Sequence, residues 1–226
     1  MSNFDSDGGS DGDWDERGDL AWNEFDWERY LREQDDAIHR YLRLYEASKD
    51  STDRIDEVAE KMGWGQENWN DESETESADN TDDDDEFGDE DDVYTLHKNP
   101  IFIATKGIYL GLNRSWQALA ADGARVPQPL ALNVLAALHR GEEQAVQAIH
   151  ALDFGDYAMA VSLFKRAMSG VNSTLALLNL EAFARHPAVH TWRDDAQRRL
   201  FDLREIWLRV IAECREELDR PVDDES

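Results

Sequence analysis

Residues 67–92 hold fifteen Asp and Glu side chains and not one Lys or Arg. Nothing else in the sequence limits the fold so strongly. Ordering a backbone costs about 1–2 kcal/mol per residue, and the stretch DESETESADNTDDDDEFGDEDD at 71–92 sets only one aromatic, Phe87, against that cost. Such a segment is expected to stay disordered. Residues 1–28 carry ten acids and one base, so these two segments account for 24 of the 28 excess negative charges. The stretches 29–66 and 93–226 are each only net −2. Folding is therefore expected in the near-neutral parts: a helical hairpin over residues 22–66 and a helical core over 97–220. A disordered acidic tail (1–21), a disordered acidic linker (67–96) and a flexible C-terminus (221–226) are expected around them.

The same charge excludes some partners. Affinity for nucleic acid comes mainly from neutralising phosphates with Lys and Arg, so direct binding to DNA or RNA is not expected, nor is an anionic membrane surface. No apolar run approaches the ~20 residues that span a bilayer. MSNFDSDGGSDGD at the N-terminus lacks the basic region and apolar stretch of a secretory signal. Cys214 is the only cysteine, which fits a reducing compartment. A cytoplasmic protein is expected.

The periodicity is helical throughout. Asn23 can cap a helix whose stripe runs through Trp27, Leu31, Ile38, Tyr41, Leu42 and Tyr45, in steps of three and four. A shorter helix is expected from Asp53 to Met62, stopped by Gly63. Asn99-Pro100 is a strong start signal for a helix reaching about Ala121. Further helices are expected over Pro129–His139, ended near Gly141, over Glu142–Leu152, then on to Met168, and over Leu175–Arg185 after a restart at Gly170. Pro187 opens the last and longest, to about Arg220, roughly 50 Å long. Its stripe of Trp192, Ala196, Leu200, Leu203, Trp207, Val210, Ile211, Cys214 and Leu218 has no gap. Phe201, Ile206 and Leu208 lie off that stripe, so a second face wants a partner. The acid-first i,i+4 pairs Glu28–Arg32, Asp36–Arg40, Asp194–Arg198, Asp195–Arg199, Glu205–Arg209 and Glu216–Arg220 support these helices. The fold class is all-α: an irregular multi-helix bundle with repeat-like helical hairpins and disordered acidic segments.

Gly155-x-Tyr157-x-x-Ala160-x-x-x-Phe164-x-x-Ala167 resembles the second half of a tetratricopeptide repeat, in which small and aromatic residues interlock two antiparallel helices. Ala148 and Ala151 suit the first half. Gln144, Gln147 and Asn172 depart from it, and no second copy occurs at the repeat's offset, so the resemblance implies a helical hairpin rather than a stacked array.

The motifs of chemistry are incomplete. A carboxylate-bridged di-metal bundle needs two Glu-x-x-His pairs, and only Asp36-x-x-His39 comes close. His186 and His190 have zinc spacing, but Pro187 between them makes them helix-start residues. Asp153-Phe154-Gly155 spells a kinase tripeptide with none of the other kinase motifs around it. Asp5, Asp7, Asp11, Asp13 and Glu16 mimic a calcium loop without its glycine or its entering helix. Gly107-x-x-x-Gly111 would let another helix approach closely. Cys214, on the apolar stripe, is expected to be a buried, inert thiol. No catalytic residue, metal site or cofactor is implied.

Aromatic residues among dense acid remain. Trp14, Trp22, Trp27, Trp64 and Trp69 are the candidate partner contacts, since aromatics concentrate at binding hot spots and negative charge steers basic partners. The function expected is a non-enzymatic interaction or scaffold protein. Its partner would be a protein with a basic surface, and a homodimer through the C-terminal helix is a second expectation. The alternatives are a metal-binding bundle drawing on Glu33, His39, Glu143, His150 and Glu181, or an acidic mimic of nucleic acid that occupies a basic partner.

Overall fold

The computed structural model describes residues 23–64, 99–180 and 187–220. Six helices make up most of these: α1 Glu24–Ala47, α2 Arg54–Met62, α3 Pro100–Ala120, α4 Gln128–Asp153, α5 Tyr157–Leu178 and α6 Pro187–Asp219. No strand occurs among the described residues, and the fold is an all-α bundle. No described helix is long and apolar enough to cross a membrane. The stretches 1–21, 67–96 and 221–226, expected to be disordered, lie outside the described residues.

Helix starts follow the capping residues. Asn23 Oδ1 accepts from the backbone N–H of Phe25 at 2.8 Å and of Asp26 at 3.2 Å. Asp26 accepts from the N–H of Asn23 in return, completing a capping box. Asn99 Oδ1 accepts from Ile101 and Phe102 at 2.9 and 3.0 Å, with Pro100 opening α3. Its amide also donates to Asp153 Oδ1 at 2.8 Å, which ties the start of α3 to the end of α4. At the other end Trp116 Nε1 donates to the carbonyl of Ala131 at 3.0 Å, so α3 and α4 run antiparallel.

Two expected breaks do not occur. Helix α4 runs through Gly141 and α5 runs through Gly170 without interruption. A Cβ built on Gly170 would lie 3.3 Å from the Cα of Gly141, and one on Gly141 would lie 2.6 Å from the Tyr109 hydroxyl. These glycines are contact points. Each gives up about 1 kcal/mol of helix propensity; in return Gly170 lets α5 touch the backbone of α4, and Gly141 makes room for Tyr109 of α3. The two helices turn at Phe154–Asp156, where Gly155 takes a positive φ of 71°. Of the repeat-like pattern, Ala148, Ala151, Ala160, Phe164 and Ala167 are buried in this hairpin and Tyr157 is half-buried. Helix α5 then ends at Leu178, short of the helix expected to reach Arg185, and residues 181–186 lie outside the described part.

Helix α3 sits at the centre. Ile101 to Thr105 are five consecutive buried residues, a pattern that only a helix covered on all sides can satisfy. Helices α1, α4 and α6 pack around it, and α5 closes against α4 and α6. Trp207 of α6 joins three of them: its Nε1 donates to Thr105 Oγ1 at 3.1 Å, and its ring faces Tyr109 and Phe164. Residues Ile38, Tyr41, Tyr45, Ile55 and Val58 of α1 and α2 belong to the same core.

Gly107 and Gly111 make room for α1. A Cβ on Gly107 would stand 2.6 Å from Tyr41 Cδ1, and one on Gly111 would stand 2.6 Å from Arg199 Nη1. Tyr41 is 1% exposed and its ring cannot withdraw. Gly107→Ala is therefore expected to lower the unfolding free energy by about 1–3 kcal/mol, although Ala is the better helix former. Gly123→Ala, with nothing within 4 Å of the added carbon, is expected to be neutral or to stabilise by a few tenths of a kcal/mol. Urea unfolding of the two variants checks both signs.

Candidate functional site

Arg54 shares the apolar face of α2 with Ile55, Val58 and Ala59, and like them it is buried. Its guanidinium therefore needs a partner inside the protein. Asp202 of α6 supplies it: Arg54 Nε donates to Asp202 Oδ2 at 2.8 Å and Nη2 makes a second bond to the same oxygen. The Tyr45 hydroxyl of α1 donates to it as well, and the Arg54 guanidinium lies 4.0 Å above the Tyr45 ring. Burial, and then the charge of Asp202, push the Tyr45 phenol far above its usual range, so it stays a protonated donor. One turn earlier on α6, Arg199 is 4% exposed and pairs with Asp195 at 2.5 Å and with Glu46 of α1 at 2.7 Å. Three helices meet on these charges.

Above this junction lies an open groove of about 490 Å³. Asp53, Ile55 and Asp56 at the start of α2 form one wall, and Phe201, Glu205 and Leu208 of α6 form the other. Ile55 is buried, whereas Phe201 and Leu208 remain 53% and 41% exposed. Arg209 crosses between the walls. Its Nη1 and Nη2 reach the two carboxylate oxygens of Asp56, and its Nε donates to Glu205 Oε1 at 3.1 Å. The bond from Arg209 holds Asp56 below the usual carboxylate range. One turn on, Glu213 is pushed the other way, first by burial and then by Glu216. The chemistry on offer is docking: apolar side chains for contact area and carboxylates for cations.

Of the off-stripe residues on the last helix, Phe201 and Leu208 face this groove, but Ile206 is 1% exposed and belongs to the bundle's own core. The stripe on α6 is wider than a single seam because α3 and α5 both pack on it. Glu28–Arg32, Asp195–Arg199 and Glu205–Arg209 pair as the spacing predicts. Arg193 pairs with Asp194 and Arg220 with Glu217.

Of the five candidate tryptophans, Trp27 and Trp64 lie among the described residues. Trp14, Trp22 and Trp69 lie outside the described residues. Trp27 is 53% exposed on the first turn of α1, edge-on to Tyr30. Trp64 is half-buried and stacks on Tyr41 at 5.7 Å, using one face for the protein's own core. His39 lies 2.8 Å from Arg114 of α3. Glu143 and His150 sit two turns apart on α4, and Glu181 lies outside the described residues. Among the described residues no group of three or more His, Cys, Asp or Glu side chains could hold a metal ion. Cys214 is buried, and burial and then Glu213 push its thiol up, away from the reactive thiolate.

The groove and the junction beneath it are half-legible in the sequence. In the groove Phe201 and Leu208 stand out as apolar residues off the stripe, whereas in the junction Arg54 and Arg199 are visible only as charges at positions where the apolar pattern calls for a core residue.

Asp202→Ala leaves the buried Arg54 and Tyr45 hydroxyl without their acceptor, and is expected to cost about 3–5 kcal/mol of stability. Tyr45→Phe removes one hydrogen bond to a charged group and should cost about 1.5–3 kcal/mol; denaturant unfolding compares the two. For Glu213 the folded protein favours the neutral acid, so the stability it contributes is complete below its ordinary value of 4.5 and is lost as pH rises through the raised value. Glu213→Gln is therefore expected to raise Tm at neutral pH, and the gain should vanish below pH 4.5.

No family model matches the chain, and neither a curated protein nor a solved structure does.

Proposed function

We propose that this chain is a non-enzymatic α-helical interaction protein that takes a protein partner with a basic surface, and that it works in the cytoplasm. The observation that carries the reading is the α2–α6 groove, where Phe201 and Leu208 stand exposed among Asp53, Asp56 and Glu205. Large apolar side chains left in water beside fixed carboxylates provide contact area and a preference for cations together. The net charge of −28 extends that preference over distance. It also opposes pairing with a second copy, which ranks a basic partner above a homodimer through α6.

Co-purification of the full-length protein from native lysate at low and high salt tests this. A stoichiometric basic partner released at high salt is the expected result. A chain that recovers nothing under either condition, or whose only companion is acidic or neutral and indifferent to salt, overturns the reading. The same measurement on a chain lacking residues 71–92 separates steering from contact: slower capture of the same partner is expected, not its loss.

A further inference from the structure

Arg209 is placed as a guest would be. Its guanidinium presents a fork to Asp56, with Nη2 3.1 Å from Oδ2 and Nη1 on the other oxygen, while Nε reaches Glu205. This planar, two-sided recognition is what carboxylates offer an arginine and cannot offer an ammonium. All three side chains are half in water, at 41%, 49% and 51% exposure, so solvent reaches and screens the pair although its forked geometry is the favourable kind. The contact is specific in shape, and a group of the same shape is what can replace it.

The apolar part has a spacing of its own. Phe201 and Leu208 are seven residues apart on one helix, which puts them about 10 Å from each other along the groove. A guest helix lying beside α6 repeats its own anchors at i and i+7 over the same distance. Ile55 lines the opposite wall of the groove. With Asp202 already engaged by the buried Arg54, Asp53, Asp56 and Glu205 still outnumber the two arginines, Arg204 and Arg209, along the lining, so an anionic guest is disfavoured. A second copy of the chain would carry the same net charge of −28, which opposes self-association.

We infer that the groove binds an amphipathic helix of a partner protein through an arginine of that helix, and that Arg209 occupies this arginine's place in the unbound chain. The inference rests on the reading of the chain as a docking protein for a basic partner, and names the chemistry of the docked segment. On binding, Asp56 and Glu205 exchange Arg209 for the guest guanidinium, Arg209 swings into water, and the guest's apolar side chains cover Phe201 and Leu208.

The probe is a synthetic fluorescent helical peptide with leucines at i, i+4 and i+7 and flanking arginines. Its binding to the full chain is followed by fluorescence anisotropy at low and high salt. Arg209→Ala should bind about threefold tighter than the natural chain, because the competing cation is gone. Phe201→Ala with Leu208→Ala should bind at least about tenfold weaker. Asp56→Asn should also weaken binding, and a peptide with lysine in place of arginine should bind less well. All four side chains are exposed, and unchanged melting of the variants confirms that folding is intact. Three results overturn the inference. If the peptide binds but none of the groove variants alters it, the acidic segments hold it; the docking reading then survives while the groove does not. If Arg209→Ala weakens binding, Arg209 is part of the site rather than a stand-in. If sedimentation shows a dimer that Phe201→Ala and Leu208→Ala abolish, a second copy is the occupant.

Discussion

Arg54 and Asp202 meet where neither charge would sit alone. Removing a single ion from water costs several kcal/mol even after relaxation, and a well-packed apolar pair of the same volume often stabilises as much. Energy alone therefore does not explain why the contact between α2 and α6 is ionic. Geometry does. Each residue advances a helix by about 100°, so sliding or rotating α2 by one position would point Arg54 away from Asp202 and leave both charges stranded. Apolar residues such as Ile55 and Val58 would tolerate that slip far better. The pair thus fixes which residues of α2 face α6, and Ile55 and Asp56 oppose Phe201 and Glu205 as a consequence. Helix α1 can contribute Tyr45 to the same oxygen because Gly107 and Gly111 let it settle close to α3.

Much of this architecture was readable as local chemistry. The starts at Asn23, Asn99-Pro100 and Pro187 and the stop at Gly63 depend on neighbours in sequence, and they appear where the residues say they should. Gly141 and Gly170 were misread because a glycine that ends a helix and a glycine that admits another helix look alike in one dimension. Only the contact between them tells which they are, and that contact spans 29 residues of sequence. Arg54 and Asp202 are harder still. A charge on an apolar face announces that a partner exists without saying where, and here the partner is 148 residues away.

Ile206 marks the same limit beside the candidate groove. It stands with Phe201 and Leu208 outside the main stripe of α6, and sequence alone treats the three alike. In the bundle Ile206 turns inward while the other two stay in water. The apolar arc needed by a helix that touches two neighbours is wider than one stripe, so the truly outward residues emerge only once α3 and α5 are in place.

If the chain docks a basic partner as proposed, charge acts at two ranges that do different jobs. The acid of residues 1–28 and 67–92 is felt over a Debye length of about 8 Å at physiological salt. It can hasten the arrival of any cationic surface but cannot choose among them. Choice requires contact at the groove, where the carboxylates of Asp56 and Glu205 are already engaged by Arg209. A diffuse cation or a lone ammonium gains little by displacing a guanidinium that fits better than it does. A guest that brings its own guanidinium together with apolar anchors for Phe201 and Leu208 replaces the fork and adds buried area. On the proposed reading the internal arginine would then act as a threshold, so that the groove retains only those basic guests that match its shape.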